Sequence, residues 1–189
     1  MAHRIRFAMK EKPLSDALHG IVEVDETWVG GKPGKHHKTK KEMTDHASGA
    51  GGTKKTPVVA LVERNGRVRS MPVEYVCAKT LKDAIRENVD KASTIMTDES
   101  KCYKGIGKEF DGGHESVNHS IGEYSKGPKN IITTNSAESY FALLKRGIHG
   151  TFHHVSKKHL PRYCDEFSFR WSHRKETDGE RTESAIRGL

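Results

Sequence analysis

The chain has 189 residues, enough for one domain with an appendage, and 33 Lys plus Arg against 25 Asp plus Glu give it a net charge of +8. No apolar run is long enough to span a bilayer, and the N-terminal MAHRIRFAMKEK lacks a signal peptide's apolar stretch; the three separated cysteines, Cys77, Cys102 and Cys164, form neither a disulfide framework nor a zinc-ribbon spacing. A reduced, cytoplasmic setting follows, with no membrane partner, and the basic excess points to an anionic partner, of which nucleic acid is the commonest.

In chain order, residues 3–10 have the pattern of a short basic helix that Pro13 ends. IVEVDETWV (21–29) is β-rich, with Val22 and Val24 alternating with Glu23 and Asp25. Residues 30–56 contain no Ile, Leu, Val or Phe and carry seven Lys against one Glu and one Asp. Five of the eight net charges therefore sit in this Gly-rich stretch, an exposed basic loop. The four large apolar types make up only 19% of the chain, which borders on the composition of disordered proteins, yet residues 57–171 hold 26 of them. PVVALVER (57–64) reads as a strand, Asn65-Gly66 as a hairpin turn and RVRSMPVEYV (67–76) as the return strand, where Pro72 indicates an edge or a bulge.

Leu81, Ile85 and Val89 predict a helix over 79–90, STIMTD (93–98) a short strand, 99–107 a helix ended by Gly105 or Gly107, and 114–119 another short strand. Asn135 opens the strongest helix, with Ala137, Tyr140, Phe141, Leu144 and Ile148 on one face. A last helix begins near Ser156, with Leu160, Tyr163, Cys164, Phe167 and Trp171 on one face and Pro161 kinking or delaying its start. Residues 172–189 are polar and read as frayed. The order of elements predicts an α/β fold, a mixed five-stranded sheet flanked by helices, and it matches the ribonuclease H-like arrangement. The expected organisation is a basic helix and lead-in over 1–20, a catalytic domain over 21–174 that includes the 30–56 loop, and a polar tail over 175–189.

Four oxygen-bearing side chains form the candidate site. Asp25 sits mid-strand on the face opposite Val22 and Val24, Asp98 ends a short strand, and Asn135 and Glu138 open the strongest helix. If they converge near a common point, they suit Mg²⁺ or Mn²⁺, and two such ions can activate an attacking oxygen and stabilise a leaving one at a phosphodiester. Each has a plainer reading: an edge-strand solubility charge for Asp25, a cap of the following helix for Asp98, and a capping box for Asn135 with Glu138. Lys145, seven residues after Glu138, returns to within about 20° of the same helix stripe, so that Lys145 and Arg146 could hold a phosphate beside the site.

The segments VEVDETWVGGK (22–32), KTPVVALVERNGRVRS (55–70), TIMTDES (94–100), TTNSAESYFALLKRGIHGTFHHVS (133–156) and HLPRYCDEFSFRWSHR (159–174) resemble bacterial insertion-sequence transposases of the DDE type, in the branch with Asp-Asp-Asn and a downstream Lys. The resemblance implies a ribonuclease H-like catalytic domain that uses two Mg²⁺ or Mn²⁺ ions to nick transposon ends and join the freed 3′-hydroxyl to target DNA. It implies Asp25 and Asp98 as the catalytic aspartates, Asn135 in the third place, Glu138 as an additional or alternative ligand, and Lys145 near the scissile phosphate. It also implies a homo-oligomer on DNA. Two alternatives remain: a ribonuclease H-like nuclease without strand transfer, and an inactive fragment that only binds DNA. Such transposases usually carry an N-terminal zinc-ribbon or helix-turn-helix region. This chain opens almost at the catalytic domain without a C-x-x-C pair, which implies a truncated product, an isolated domain or reliance on another chain.

Among other candidates, Lys35, Lys38, Lys40 and Lys41 of the basic loop could follow a DNA backbone. His36 and His37 read as solvated, and His153, His154 and His159 as structural or phosphate-facing. Trp28 is placed either to stack on a base or to pack.

Overall fold

The computed structural model describes residues 2–10, 16–30, 55–117, 125 and 132–188. Its centre is β1 (Ile21–Val29), a strand whose two faces are both covered. β2 (Thr56–Glu63) runs antiparallel beside it with Asp25 opposite Ala60, and β3 (Val68–Pro72) returns along β2 through the Asn65-Gly66 turn. Asn65 takes φ 62, the left-handed backbone this kind of two-residue turn needs. On the other side β4 (Thr94–Asp98) runs parallel to β1, and β5 (His114–Val117) parallel to β4. The sheet order β3-β2-β1-β4-β5, an antiparallel meander continued by parallel strands, is the expected ribonuclease H-like mixed sheet. β3 lies at its edge, where Pro72, which has no N–H to donate, is tolerated. β1 is central, so the reading of Asp25 as an edge-strand charge does not hold.

Two cores form, one on each face. Val22 and Val24 of β1, with Val59 and Leu61 of β2, pack against Leu81 and Ile85 of α2 (Ala78–Asn88), together with Tyr103, Ile106 and Phe110. Val29, Val58, Ala60, Val62 and Val68 pack against Ala137, Tyr140, Phe141 and Leu144 of α3 (Asn135–Arg146) and Leu160, Cys164 and Phe167 of α4 (Leu160–Ser172). The buried stripes on α3 and α4 are those their periodicity predicts. A buried hydroxyl network joins Ser70 of β3, Tyr140 of α3 and Ser168 of α4, so these three hydroxyls satisfy one another.

Four expected elements differ. The return strand, expected over 67–76, stops at Pro72, and residues 73–77 leave the sheet. Residues 99–107 do not form one helix: two 3-10 turns, Lys101–Tyr103 and Ile106–Glu109, stand either side of Gly105, whose φ of 86 breaks the helical path. α4 starts at Leu160 instead of near Ser156, with Pro161 in its first turn, where a missing N–H costs nothing. The expected frayed tail contains α5 (Asp178–Arg187), opened by a capping box in which Thr177 and Glu180 exchange hydrogen bonds. The basic N-terminal helix is present as α1 (Ala2–Ala8).

A six-residue π-helical turn, Gly147–Phe152, follows α3. A Cβ at Gly147 would run into the Phe167 ring of α4. Gly147→Ala is therefore expected to lower the stability by about 1–3 kcal/mol through overpacking, measured as a reduced urea midpoint. A midpoint at or above that of the parent would contradict this packing.

Candidate active site

Asp25 and Asp98 are placed by the sheet. The parallel ladder pairs Ile21 with Thr94, Val22 with Ile95 and Glu23 with Met96. Two residues further along each strand come Asp25 and Asp98, level with one another and, by strand alternation, on the same face. That face is the one α3 covers, and the first turn of α3 carries Asn135 and Glu138, both exposed. Asp98 does not cap the next turn; the Ser100 side chain does, accepting from the Cys102 N–H.

The electrostatics bind three of these groups together. Burial pushes the Asp25 carboxyl up to about 7, and the carboxylates of Glu26, Asp98 and Glu138 add to the rise; the Glu26 N–H, 2.7 Å from Asp25 Oδ1, opposes it. Glu26 is also raised, first by burial and then by Asp98, while the Tyr103 hydroxyl donates to its Oε2 at 2.6 Å and counters the shift. Burial and the adjoining Glu26 hold the Tyr103 phenol well above its usual range. Glu26 and Tyr103 were not singled out from the sequence. Their signal was a second acid directly after Asp25 and a tyrosine just beyond Asp98.

Among the described residues no three His, Cys, Asp or Glu side chains are gathered as a ready metal cage. The expected convergence is thus electrostatic and not a closed ligand set. The donor chemistry nevertheless fits a hard divalent cation: carboxylate oxygens repel one another at Asp25, and a cation would relieve that repulsion.

The start of α3 departs from the expected capping box. Thr134 is the N-cap, without a side-chain cap, and Asn135 donates its N–H to Thr133 Oγ1. The next two amides are satisfied from far away in sequence. Glu23 of β1, fully buried, accepts at Oε2 from Ser136 N (2.7 Å) and Ala137 N (3.3 Å). Its Oε1 accepts from Ser136 Oγ and from Arg64 Nε and Nη2, the latter at 2.7 Å. Arg64 Nη2 also reaches the Thr133 carbonyl at 3.3 Å. Glu23 escaped the sequence reading, although an acid two positions from Asp25 on the same face of a β-branched strand was its signal.

The remaining candidates scatter. Lys145 and Arg146 are exposed at the end of α3. Lys35, Lys38, Lys40 and Lys41, with His36 and His37, lie outside the described residues. His159 stacks on His3 with ring centroids 4.6 Å apart, a structural role, whereas His153 and His154 are exposed. Trp28 is half-buried and alternates with Val29, which puts it on the face opposite Asp25. Cys77 is exposed, Cys102 half-buried and Cys164 buried, and all three are free thiols.

Residues 17–172 match the family described as the ISXO2-like transposase domain. A protein described as an uncharacterized protein in transposable element ISH50 of Halobacterium salinarum is 25% identical over 158 residues, covering 81% of this chain and 52% of that protein. Among solved structures, a chain of a simian T-cell lymphotropic virus intasome in complex with PP2A regulatory subunit B56 gamma is 11% identical with a TM-score of 0.45, over 82% of this chain and 48% of that one. A Mos1 transposase paired-end complex with the left transposon end is 13% identical with a TM-score of 0.37, over 98% of this chain and 62% of that one. The chain spans about half the length of the curated relative it matches. Among the described residues no helix is long and apolar enough to cross a membrane.

Proposed function

The chain belongs to the ISXO2-like transposase domain family, and from that premise we propose that it cuts transposon DNA ends in a divalent-metal-dependent reaction and joins the freed 3′-hydroxyl to target DNA. The catalytic unit is residues 21–174. The observation that carries the reading is Asp25: a half-buried carboxylate on the central strand, level with Asp98, facing the helix that brings Asn135 and Glu138, and raised to about 7 by its surroundings. A fold has little use for such a group unless a cation offsets it.

Asp25 and Asp98 would hold the metal, with Asn135 or Glu138 completing the set. Bound there, Mg²⁺ or Mn²⁺ supplies Lewis-acid polarisation of the phosphodiester. The protein's own residues orient the substrate: Lys145 and Arg146 on the exposed end of α3 meet the phosphate backbone, joined by Lys35, Lys38, Lys40 and Lys41. Copies of the chain assembled on paired ends complete the proposal.

The test uses a supercoiled plasmid carrying the genomic DNA that flanks the gene. Mn²⁺ or Mg²⁺ is expected to produce nicked circles, EDTA to abolish them, and a pre-nicked end to be joined to a second plasmid. Cleavage without joining would reduce the function to a nuclease; equal nicking in EDTA would overturn the metal site. In the same series, Mn²⁺ without DNA is expected to raise the melting temperature of the parent protein, because a ligand that binds only the folded state stabilises it.

A further inference from the structure

Among the described carboxylates Glu23 is the most completely withdrawn from water, with 0% exposure. A carboxylate placed so deep survives only with full compensation. Here the compensation has two sides. Oε1 takes the paired Nε and Nη2 of Arg64, at the end of the β2 hairpin arm, plus the Ser136 hydroxyl. Oε2 takes the amides of Ser136 and Ala137, the second and third residues of α3. These amides belong to the first turn, where no intrahelical acceptor exists and the positive end of the helix dipole favours an anion. Arg64 closes the circuit by reaching the Thr133 carbonyl just before the helix.

We infer that Glu23 is a positioning residue for the active site: it clamps the first turn of α3, and with it Asn135 and Glu138, against the strand that carries Asp25. The clamp is rigid because Glu23 and Asp25 lie two residues apart on the same strand face, so the distance between the clamp and the candidate catalytic carboxylate is set by backbone geometry alone. The helix therefore inherits its place from the strand that holds the site. The inference rests on the metal-dependent cleavage proposed above.

Glu23→Gln is the isosteric test. Both carboxylate oxygens accept from donors, so the new amide nitrogen must face either Arg64 or the Ser136 and Ala137 amides, donor against donor. With the full chain, flanking-DNA plasmid and Mn²⁺, kcat for nicking is expected to fall about 100-fold, the cost of a small misplacement, while KM for the plasmid stays within about twofold because Lys145 and Arg146 are untouched. Hydrogen exchange at the Ser136 and Ala137 amides is expected to rise about tenfold or more, because their charged acceptor becomes a neutral amide oxygen or turns away. Ile85→Val, on the opposite face of the sheet, serves as a control for simple destabilisation and is expected to keep the parent kcat. A Glu23→Gln protein with parental kcat, with unchanged exchange at both amides, or with a loss that Ile85→Val reproduces would overturn the inference.

If Glu23→Gln does not fold, Arg64→Lys carries the test, since lysine keeps the charge but cannot make the paired contact. A roughly tenfold fall in kcat at constant KM is then expected, and an unchanged kcat rejects the clamp. Should the parent itself fail to nick with Mn²⁺, the proposed function falls. Exchange at Ser136 and Ala137 would still decide whether Glu23 holds the helix.

Discussion

Asp25→Asn is expected to gain stability and lose activity in the same molecule. At pH 8 and without divalent metal it should melt above the parent, and it should nick DNA about 10³-fold more slowly with Mn²⁺, the scale on which removal of one preorganised charge-stabilising group acts. The stability gain follows from linkage. The Asp25 carboxyl is raised from 3.8 to about 7 in the folded protein. Below the lower value both states are protonated and the site costs nothing. Between the two values the unfolded chain has released its proton and the folded chain has not, so folding stability falls as pH rises; above about 7 the full penalty is present. Partial exposure reduces that penalty to on the order of 1–2 kcal/mol, or about 2–8 °C for a chain of this size. The difference in melting temperature between Asp25→Asn and the parent should thus vanish near pH 4, open between pH 4 and 7, and level off above. Saturating Mn²⁺ should close much of it by stabilising the parent alone. A difference that is flat across pH, or a parent that melts above Asp25→Asn at pH 8 without metal, would show that Asp25 carries no such burden.

How far the sequence alone reached follows from what each feature depends on. Period-two and period-four patterns located β1, β2, α2 and α3 within a residue or two, because the apolar positions that define them are the ones that pack: Val22 and Val24 on one face of β1, Tyr140, Phe141 and Leu144 on one side of α3. Asp25 and Asp98 were equally visible, being acids among β-branched neighbours, and their common face follows from the strand register. Residues joined only by tertiary contacts were hidden. The local pattern Asn135-x-x-Glu138 looked like a self-sufficient capping box, and nothing nearby in sequence reveals that Glu23, more than a hundred residues earlier, fills that role. The tail shows the same limit from the other direction. Its polar composition suggested fraying, yet α5 packs against α1, buries Ala185 and is opened by Thr177 and Glu180. A single buried small residue and one good cap leave too faint a periodicity to outweigh the charges.

The position of α1 leads to the second large expected effect. This helix precedes the residues that match the transposase family, 17–172, and from sequence it reads as a lead-in. Arg6 argues that it is built into the domain. Its side chain is 11% exposed and its Nε donates to Glu166 Oε2 of α4 at 2.6 Å, and its guanidinium stands 4.1 Å from the Tyr163 ring centroid and 5.0 Å from that of Phe152. Glu166, 6% exposed, has a second partner in Arg170, but that arginine is 55% exposed and can return to water. Glu166→Ala leaves Arg6 as a buried cation facing two rings without its carboxylate, and the expected loss is about 3–5 kcal/mol, the cost of breaking a buried pair from one side. Arg6→Met combined with Glu166→Leu removes both charges and keeps the volume, so it should recover most of that loss. Urea denaturation of the two proteins measures the contrast. If α1 were a lead-in resting loosely on the surface, Glu166→Ala would cost only what an exposed ion pair does, about 0–1 kcal/mol, and the double variant would recover nothing. A loss of several kcal/mol repaired by the apolar pair would place α1 inside the cooperative unit that holds α4, and through α4 the helix layer covering the face of Asp25.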